Sequence, residues 1–267
     1  MSYRFLTLYS GSGGNSTFIS DGKTSILIDA GKSARTLCAS LTAIGSDIKN
    51  ISAIFITHEH CDHVSALETL AKKHVIPIHI THGSAVKFDN HPDSPVHSRF
   101  VRHSTVFSET VGNITVSSFR TPHDSNMSVG YRIGLCDENG AHTLGVATDI
   151  GYITDDIRKG LTGCEAVVLE SNHDEQMLED GPYPYQLKQR IRSRKGHLSN
   201  RDSAEFAGEL AATGTRGFIL AHLSEENNRP EIAFDEINSV ISDPSVQICV
   251  AAPNEPVELC PFREVKV

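Results

Sequence analysis

His58-Glu59-His60-Cys61-Asp62-His63 places three imidazoles and the Asp62 carboxylate, beside Glu59, within six residues. Spacing two along an extended chain puts His58 and His60 on one side. A turn after them lets Asp62 and His63 face the same cavity from a helix start. Imidazole and carboxylate together form the ligand set of a borderline metal such as zinc or manganese, with iron also compatible. Three further residues of the same types follow at ends of apolar segments: His123 in Thr-Pro-His-Asp, Asp149 in Ala-Thr-Asp, and His222 in Leu-Ala-His-Leu-Ser. Two ions held a few ångströms apart would share a hydroxide whose pKa falls toward neutrality, so no protein nucleophile is required. The bland alternative, a structural His-x-His, does not explain seven such residues at segment ends. Glu59 and Cys61 read as spacers.

The elements that must carry these residues follow from periodicity. Tyr3–Tyr9, Ser16–Ser20, Thr24–Ile28, Ile51–Thr57, Val75–Ile80 and Ile114–Phe119 read as strands. So do Ser128–Leu135, His142–Thr148, Ala166–Glu170, Gly217–Ala221 and Val246–Ala251. Helices are expected from Ser33 to about Ile44, and over Val64–His74, Ser84–Asp89, Tyr185–Arg194, Asn200–Thr213 and Glu231–Ser242. Strands at both ends with helices between predict an α/β fold of two packed sheets flanked by helices, as one domain over residues 1–267.

The motif His-x-His-x-Asp-His, followed in order by His123, Asp149 and His222, resembles the metallo-β-lactamase superfamily over roughly residues 3 to 225. The resemblance implies a four-layer αββα sandwich. It implies one metal on His58, His60 and His123, a second on Asp62, His63 and His222, and Asp149 bridging both. Asp62 would also orient the nucleophile. Gly11-Ser-Gly-Gly-Asn15-Ser16 and Gly196-His197-Leu-Ser199-Asn200 look like motifs of the YycJ/WalJ-like branch, described as exonucleases acting 5′ to 3′ on duplex DNA. The glycine-rich stretch lacks GxxxxGK[ST] and is no nucleotide P-loop. It is read either as a turn bringing Asn15 and Ser16 near substrate or as a plain strand connection.

Lys188-Gln-Arg-Ile-Arg-Ser-Arg-Lys195 is basic within a chain of net charge −9. Arg192, Arg194 and Lys195 are candidates to hold phosphates, and Ser199 and Asn200 to present a helix N-terminus to one. His197 is a candidate to protonate a leaving oxygen. A solvated helix face followed by an ordinary cap is the competing reading. His173 either lines the cleft or is a satisfied core residue. The remaining histidines, such as His79, His103 and His142, show no ligand spacing.

Composition bounds the rest. The chain has 267 residues, 39% hydrophobic and 21% charged, which excludes disorder. Its apolar runs are too short for a membrane span, and the N-terminus has no signal-peptide pattern, so a cytoplasmic protein is expected. The six cysteines form no CxxC pair and are expected as free, mostly buried thiols. The overall expectation is a metal-dependent phosphodiesterase, with DNA ahead of RNA as partner and no membrane. The alternatives are hydrolysis of a small phosphodiester, thioester or lactone, RNA cleavage, or a non-catalytic metal-binding scaffold.

Overall fold

The computed structural model describes residues 3–259. Period-two alternation decides which way each strand faces. In β1 (Arg4–Tyr9), Leu6 and Leu8 point to one apolar cluster and Phe5 to another. In β11 (Ala166–Glu170), Ala166 and Val168 face the second cluster, whereas Val167 and Leu169 face a third. Three apolar interfaces require four layers, and that is the arrangement observed.

The first sheet has the order β14-β1-β2-β3-β4-β5-β6. It comprises β1, β2 (Ser16–Ser20), β3 (Ser25–Ile28), β4 (Ile51–Phe55), β5 (Ile78–Thr81), β6 (Phe100–His103) and β14 (Val257–Glu258). The second has the order β13-β12-β11-β10-β9-β8-β7. It comprises β7 (Ser108–Val111), β8 (Ile114–Arg120), β9 (Val129–Asp137), β10 (Gly140–Ala147), β11, β12 (Gly217–Ala221) and β13 (Gln247–Val250). The two inner faces meet through Phe5, Ile19, Phe55, Tyr131 and Ile219. Leu37, Leu41, Leu67 and Leu70 from helices Ala34–Ala43 and Leu67–Lys73 cover the first sheet. Phe206, Leu210 and Ile237 from helices Asn200–Ala212 and Pro230–Val240 cover the second. The expected four-layer α/β sandwich is therefore the fold. Among the described residues, no helix is long and apolar enough to cross a membrane.

Several expectations change in detail. The helix expected over Val64–His74 is broken into Cys61–Val64 and Leu67–Lys73. Ala30 N donates to His63 O and Ala66 N to Ala30 O, so the chain after β3 captures the backbone at the break. The helix expected to reach Arg194 stops at Ile191, because His197 N returns to the Ile191 carbonyl. Gly196 permits this turn, since a Cβ there would fall on the Ile191 and Arg190 carbonyl oxygens. The polar strands β6, β7 and β14 and the short helices Asp155–Leu161 and Glu175–Asp180 carry too weak a period to be expected. Of the described cysteines only Cys164 is buried; Cys61 and Cys136 are exposed, which overturns the expectation of mostly buried thiols. Cys260 lies outside the described residues.

At the far end of the second sheet, His142 bridges two strand ends. Its Nδ1 lies 2.8 Å from Glu165 and its Nε2 3.0 Å from Asp137. Burial pulls its pKa down, but the bonds to Glu165 and Asp137 outweigh burial and raise it above the ordinary 6.5. A raised value means that this stabilisation is complete below about pH 6.5 and is lost as pH climbs through the folded-state value. His142→Gln is expected to cost about 1 kcal/mol at pH 5.5 and less at pH 9, read from urea unfolding midpoints.

Candidate metal centre

The seven residues that could hold a metal sit where strands end. His58, His60, Asp62 and His63 follow β4, His123 follows β8, Asp149 follows β10 and His222 follows β12. Strands β10, β11 and β12 pair in parallel, so these ends collect at one edge of the sandwich, the usual place for a site in such sheets. Two of these strand-end residues have left-handed backbone, Asp149 and His222, each with φ of 59°. Asp29 after β3 has φ of 63°. Single residues in this region are uncommon and cost of order 1–3 kcal/mol each. The turn aims each side chain across the strand end instead of along it.

Each ring is fixed by its outer nitrogen. His58 Nδ1 lies 3.0 Å from Thr57 Oγ1, which in turn donates to Asp29 Oδ2 over 2.8 Å. His63 Nδ1 donates to the same Asp29 oxygen at 2.8 Å. His123 Nδ1 donates to the Gly196 carbonyl at 3.1 Å, and His222 Nδ1 to Glu170 Oε1 at 3.1 Å. With Nδ1 engaged as donor, Nε2 carries the free lone pair and faces the centre. His60 is the exception: its Nδ1 faces inward, 3.4 Å from His123 Nε2.

The inward atoms form two groups. The ligand atoms of His58, His60 and His123 lie within 4.8 Å of one another, and so do those of Asp62, His63 and His222. Asp149 spans both. Its Oδ1 is 3.7 Å from His123 Nε2 and 3.6 Å from His222 Nε2, and its Oδ2 is 3.3 Å from His63 Nε2. His58 Nε2 and Asp149 Oδ2 are buried without a hydrogen-bond partner. Leaving such atoms unpaired costs about 1–3 kcal/mol apiece. A divalent cation between them would satisfy both, and the donor set suits one. The electrostatics agree. Burial pushes Asp149 up, but the charges of His222, His63 and His58 outweigh it and hold the carboxylate well below its usual range. Burial lowers His222, yet Asp149, Asp62 and Glu170 together push it up to about 10. An aggregate of this kind balances its charge with protons or with metal.

The predicted substrate residues are placed differently from one another. Asn15 is buried; its Nδ2 lies 3.3 Å from Asp62 Oδ2, and its Oδ1 accepts from Ser10 and Gly11. Ser16 is buried and donates to the Asp29 carbonyl. Ser199 caps helix Asn200–Ala212 by accepting from Asp202 N, and Asn200 bonds to Ser171 and Asn228. Neither presents a side chain to solvent. Arg192 pairs with Glu179, outside the metal cluster. Arg194 and Lys195 are exposed and border a cleft beside His123. His197 is the one outer histidine: its Nδ1 donates to Glu170 at 2.8 Å, while its side chain keeps 21% exposure. His173 is buried, away from the cleft surface.

Asp29, Glu170 and Asp124 were not expected at the site. Asp29 and Glu170 anchor His63, His222 and His197, and Glu170 also accepts from Ile150 N at 2.6 Å. The signal in the sequence was a single acid closing an unbroken apolar strand, Ser-Ile-Leu-Ile-Asp and Ala-Val-Val-Leu-Glu. Asp124 Oδ1 stands 3.2 Å from His123 Nε2, and its Oδ2 is gripped by Arg190 at 2.6 Å. Gly31 closes the wall behind the cluster; a Cβ there would strike the Asp62 carbonyl.

Residues 24–223 match the family described as a beta-lactamase superfamily domain. The chain belongs to that superfamily. It is 33% identical over 244 residues to the exodeoxyribonuclease YycJ of Bacillus anthracis, covering 91% of this chain and 90% of that one. It is 33% identical over 236 residues to the exodeoxyribonuclease WalJ of Streptococcus pneumoniae, covering 86% and 85%. The metallo-β-lactamase fold protein YhfI from Bacillus subtilis superposes with a TM-score of 0.72 at 17% identity, covering 96% of this chain and 99% of that one. Superfamily membership and the His/Asp clusters make this a metal-dependent hydrolase that binds divalent metal.

Because Glu170 fixes two rings at once, Glu170→Gln is expected to weaken metal loading about 10- to 100-fold while leaving the circular dichroism spectrum unchanged. Chelator competition with elemental analysis of the bound metal measures it.

Proposed function

We propose that this protein is a dinuclear metal-dependent phosphodiesterase that degrades duplex DNA from an end, 5′ to 3′. The observation that carries the reading is the pairing of two ligand groups across Asp149 in a chain one-third identical, over nearly its whole length, to proteins named exodeoxyribonucleases. His58, His60 and His123 would hold one ion, Asp62, His63 and His222 the other, and Asp149 would touch both. Two such ions, zinc or manganese with iron also compatible, would supply a water nucleophilic at neutral pH and charge to balance that developing on a phosphoryl group.

The chain's own residues do the rest. Asp62, with 17% of its side chain exposed against 2% for Asp149, is the carboxylate open to substrate and orients the attacking water. Asn15 fixes that carboxylate. His197, held through Nδ1 by Glu170, has Nε2 free to protonate the leaving oxygen. Arg194 and Lys195 neutralise neighbouring phosphates. Ser16, Ser199 and Asn200 serve by bracing the loops, since their polar atoms are spent inside the fold, and Arg192 braces Glu179. A DNA substrate would put the protein in the cytoplasm.

Digestion of 5′-labelled and 3′-labelled duplex DNA with manganese or zinc tests this. Ordered release of mononucleotides from the 5′ end is expected, with Asp149→Ala reduced to background. Absence of release from protein carrying both metals would overturn the DNA reading and favour a small phosphodiester, thioester or lactone.

A further inference from the structure

Beside His123 the surface opens into a cleft of about 570 Å³. Its walls are the loop joining β8 to β9, Tyr152 just past Asp149, and the Arg194-Lys195 pair just before His197. Arg120, Arg194 and Lys195 line it and no carboxylate does, although the chain as a whole carries a net charge of −9. All three cations are exposed, and among the described residues none has an ion-pair partner. Their neighbours Arg190 and Arg192 are neutralised by Asp124 and Glu179. Like charges left unpaired around one concavity attract an anion with more than one charged group. The Arg194 guanidinium lies over the Tyr152 ring at 4.1 Å from its centre. The outer face of such a pair is a flat surface on which a base can stack.

The cleft is held rigidly against the metal centre. Gly151 N donates to Pro122 O at 2.8 Å, and Asp124 N to Lys195 O at 3.1 Å. His123 Nδ1 donates to Gly196 O. The backbone carrying Arg194 and Lys195 is therefore set at a fixed distance from a ligand of the first metal group. A volume of this size falls in the roughly 300–1,000 Å³ range of small-ligand sites. It matches the size of one nucleotide unit.

We propose that this cleft receives, as a single strand, the nucleotide next to the scissile phosphate. Arg120 and Lys195 take the flanking phosphates, and the base stacks on the Arg194–Tyr152 pair, whose guanidinium charge also faces those phosphates. The inference rests on the nucleic-acid reading of the metal centre and adds to it that a duplex end must fray before it is cut. Fraying costs least at weak or mismatched ends.

The test uses metal-loaded protein and a phosphorothioate-linked hexathymidylate carrying a 3′ fluorophore, with binding followed by anisotropy across a salt series. Arg120→Ala and Arg194→Ala are each expected to weaken binding about 10-fold and to lower the log–log salt slope by about 0.7. Arg194→Lys should keep the slope and lose part of the affinity. Arg216→Ala, whose partner is Asp243 on another face, should bind as wild type. Wild-type affinity and slope in both Arg→Ala variants, or no measurable binding by wild type, would overturn the proposal. The two readings fail separately. Loss of binding in the variants, with labelled duplex left intact by wild type, sinks the exonuclease and keeps the cleft. Duplex degradation with unchanged binding sinks the cleft and keeps the exonuclease.

Discussion

The hydrogen bond from the outer nitrogen of every ligand histidine but His60 governs this molecule. Thr57, Asp29, Gly196 and Glu170 each hold an Nδ1 atom, and the sheet ends are arranged to supply them. Without those acceptors the rings could rotate or change tautomer, and the inward nitrogens would no longer converge. Asp29 is the most heavily used: it accepts from Thr57 N, Thr57 Oγ1 and His63, so two ligand rings depend on one buried carboxylate. Burial raises the pKa of that carboxylate against the pull of His63. The fold tolerates the cost because all three donors are already in place.

The same requirement accounts for the strained backbone. A straight strand exit would carry Asp149 or His222 past the cluster. A left-handed residue at the strand end turns the side chain inward at once, and the parallel ladders of β10, β11 and β12 hold the turn from below. Strain at these positions is offset by burial across three apolar interfaces that lie entirely behind the site.

The ligand cluster was legible because its chemistry is local: four of its members fall within six residues, and the others close apolar strands. The layers were legible because strand alternation is also local. The anchors were not, since Asp29 and His63, or Glu170 and His222, are neighbours only in space. The basic run 188–195 misled in a different way. It reads as one strip, but the helix stops at Ile191, so Lys188, Arg190 and Arg192 turn to Glu179 and Asp124 while Arg194 and Lys195 turn to the cleft. The helix break near Ser65 came from backbone contacts with Ala30, which no residue type signals.

The loops bearing His123, Asp149 and His197 are stitched to one another by main-chain hydrogen bonds, not only to the sheets beneath them. Gly151 packs on the Arg194 carbonyl so closely that only glycine fits. Segments joined in this way open together or not at all. The mouth of the site is thus a single cooperative unit whose amides should exchange with solvent as a block. Whatever freedom turnover demands is left to the side chains at the rim, while the frame beneath them stays still.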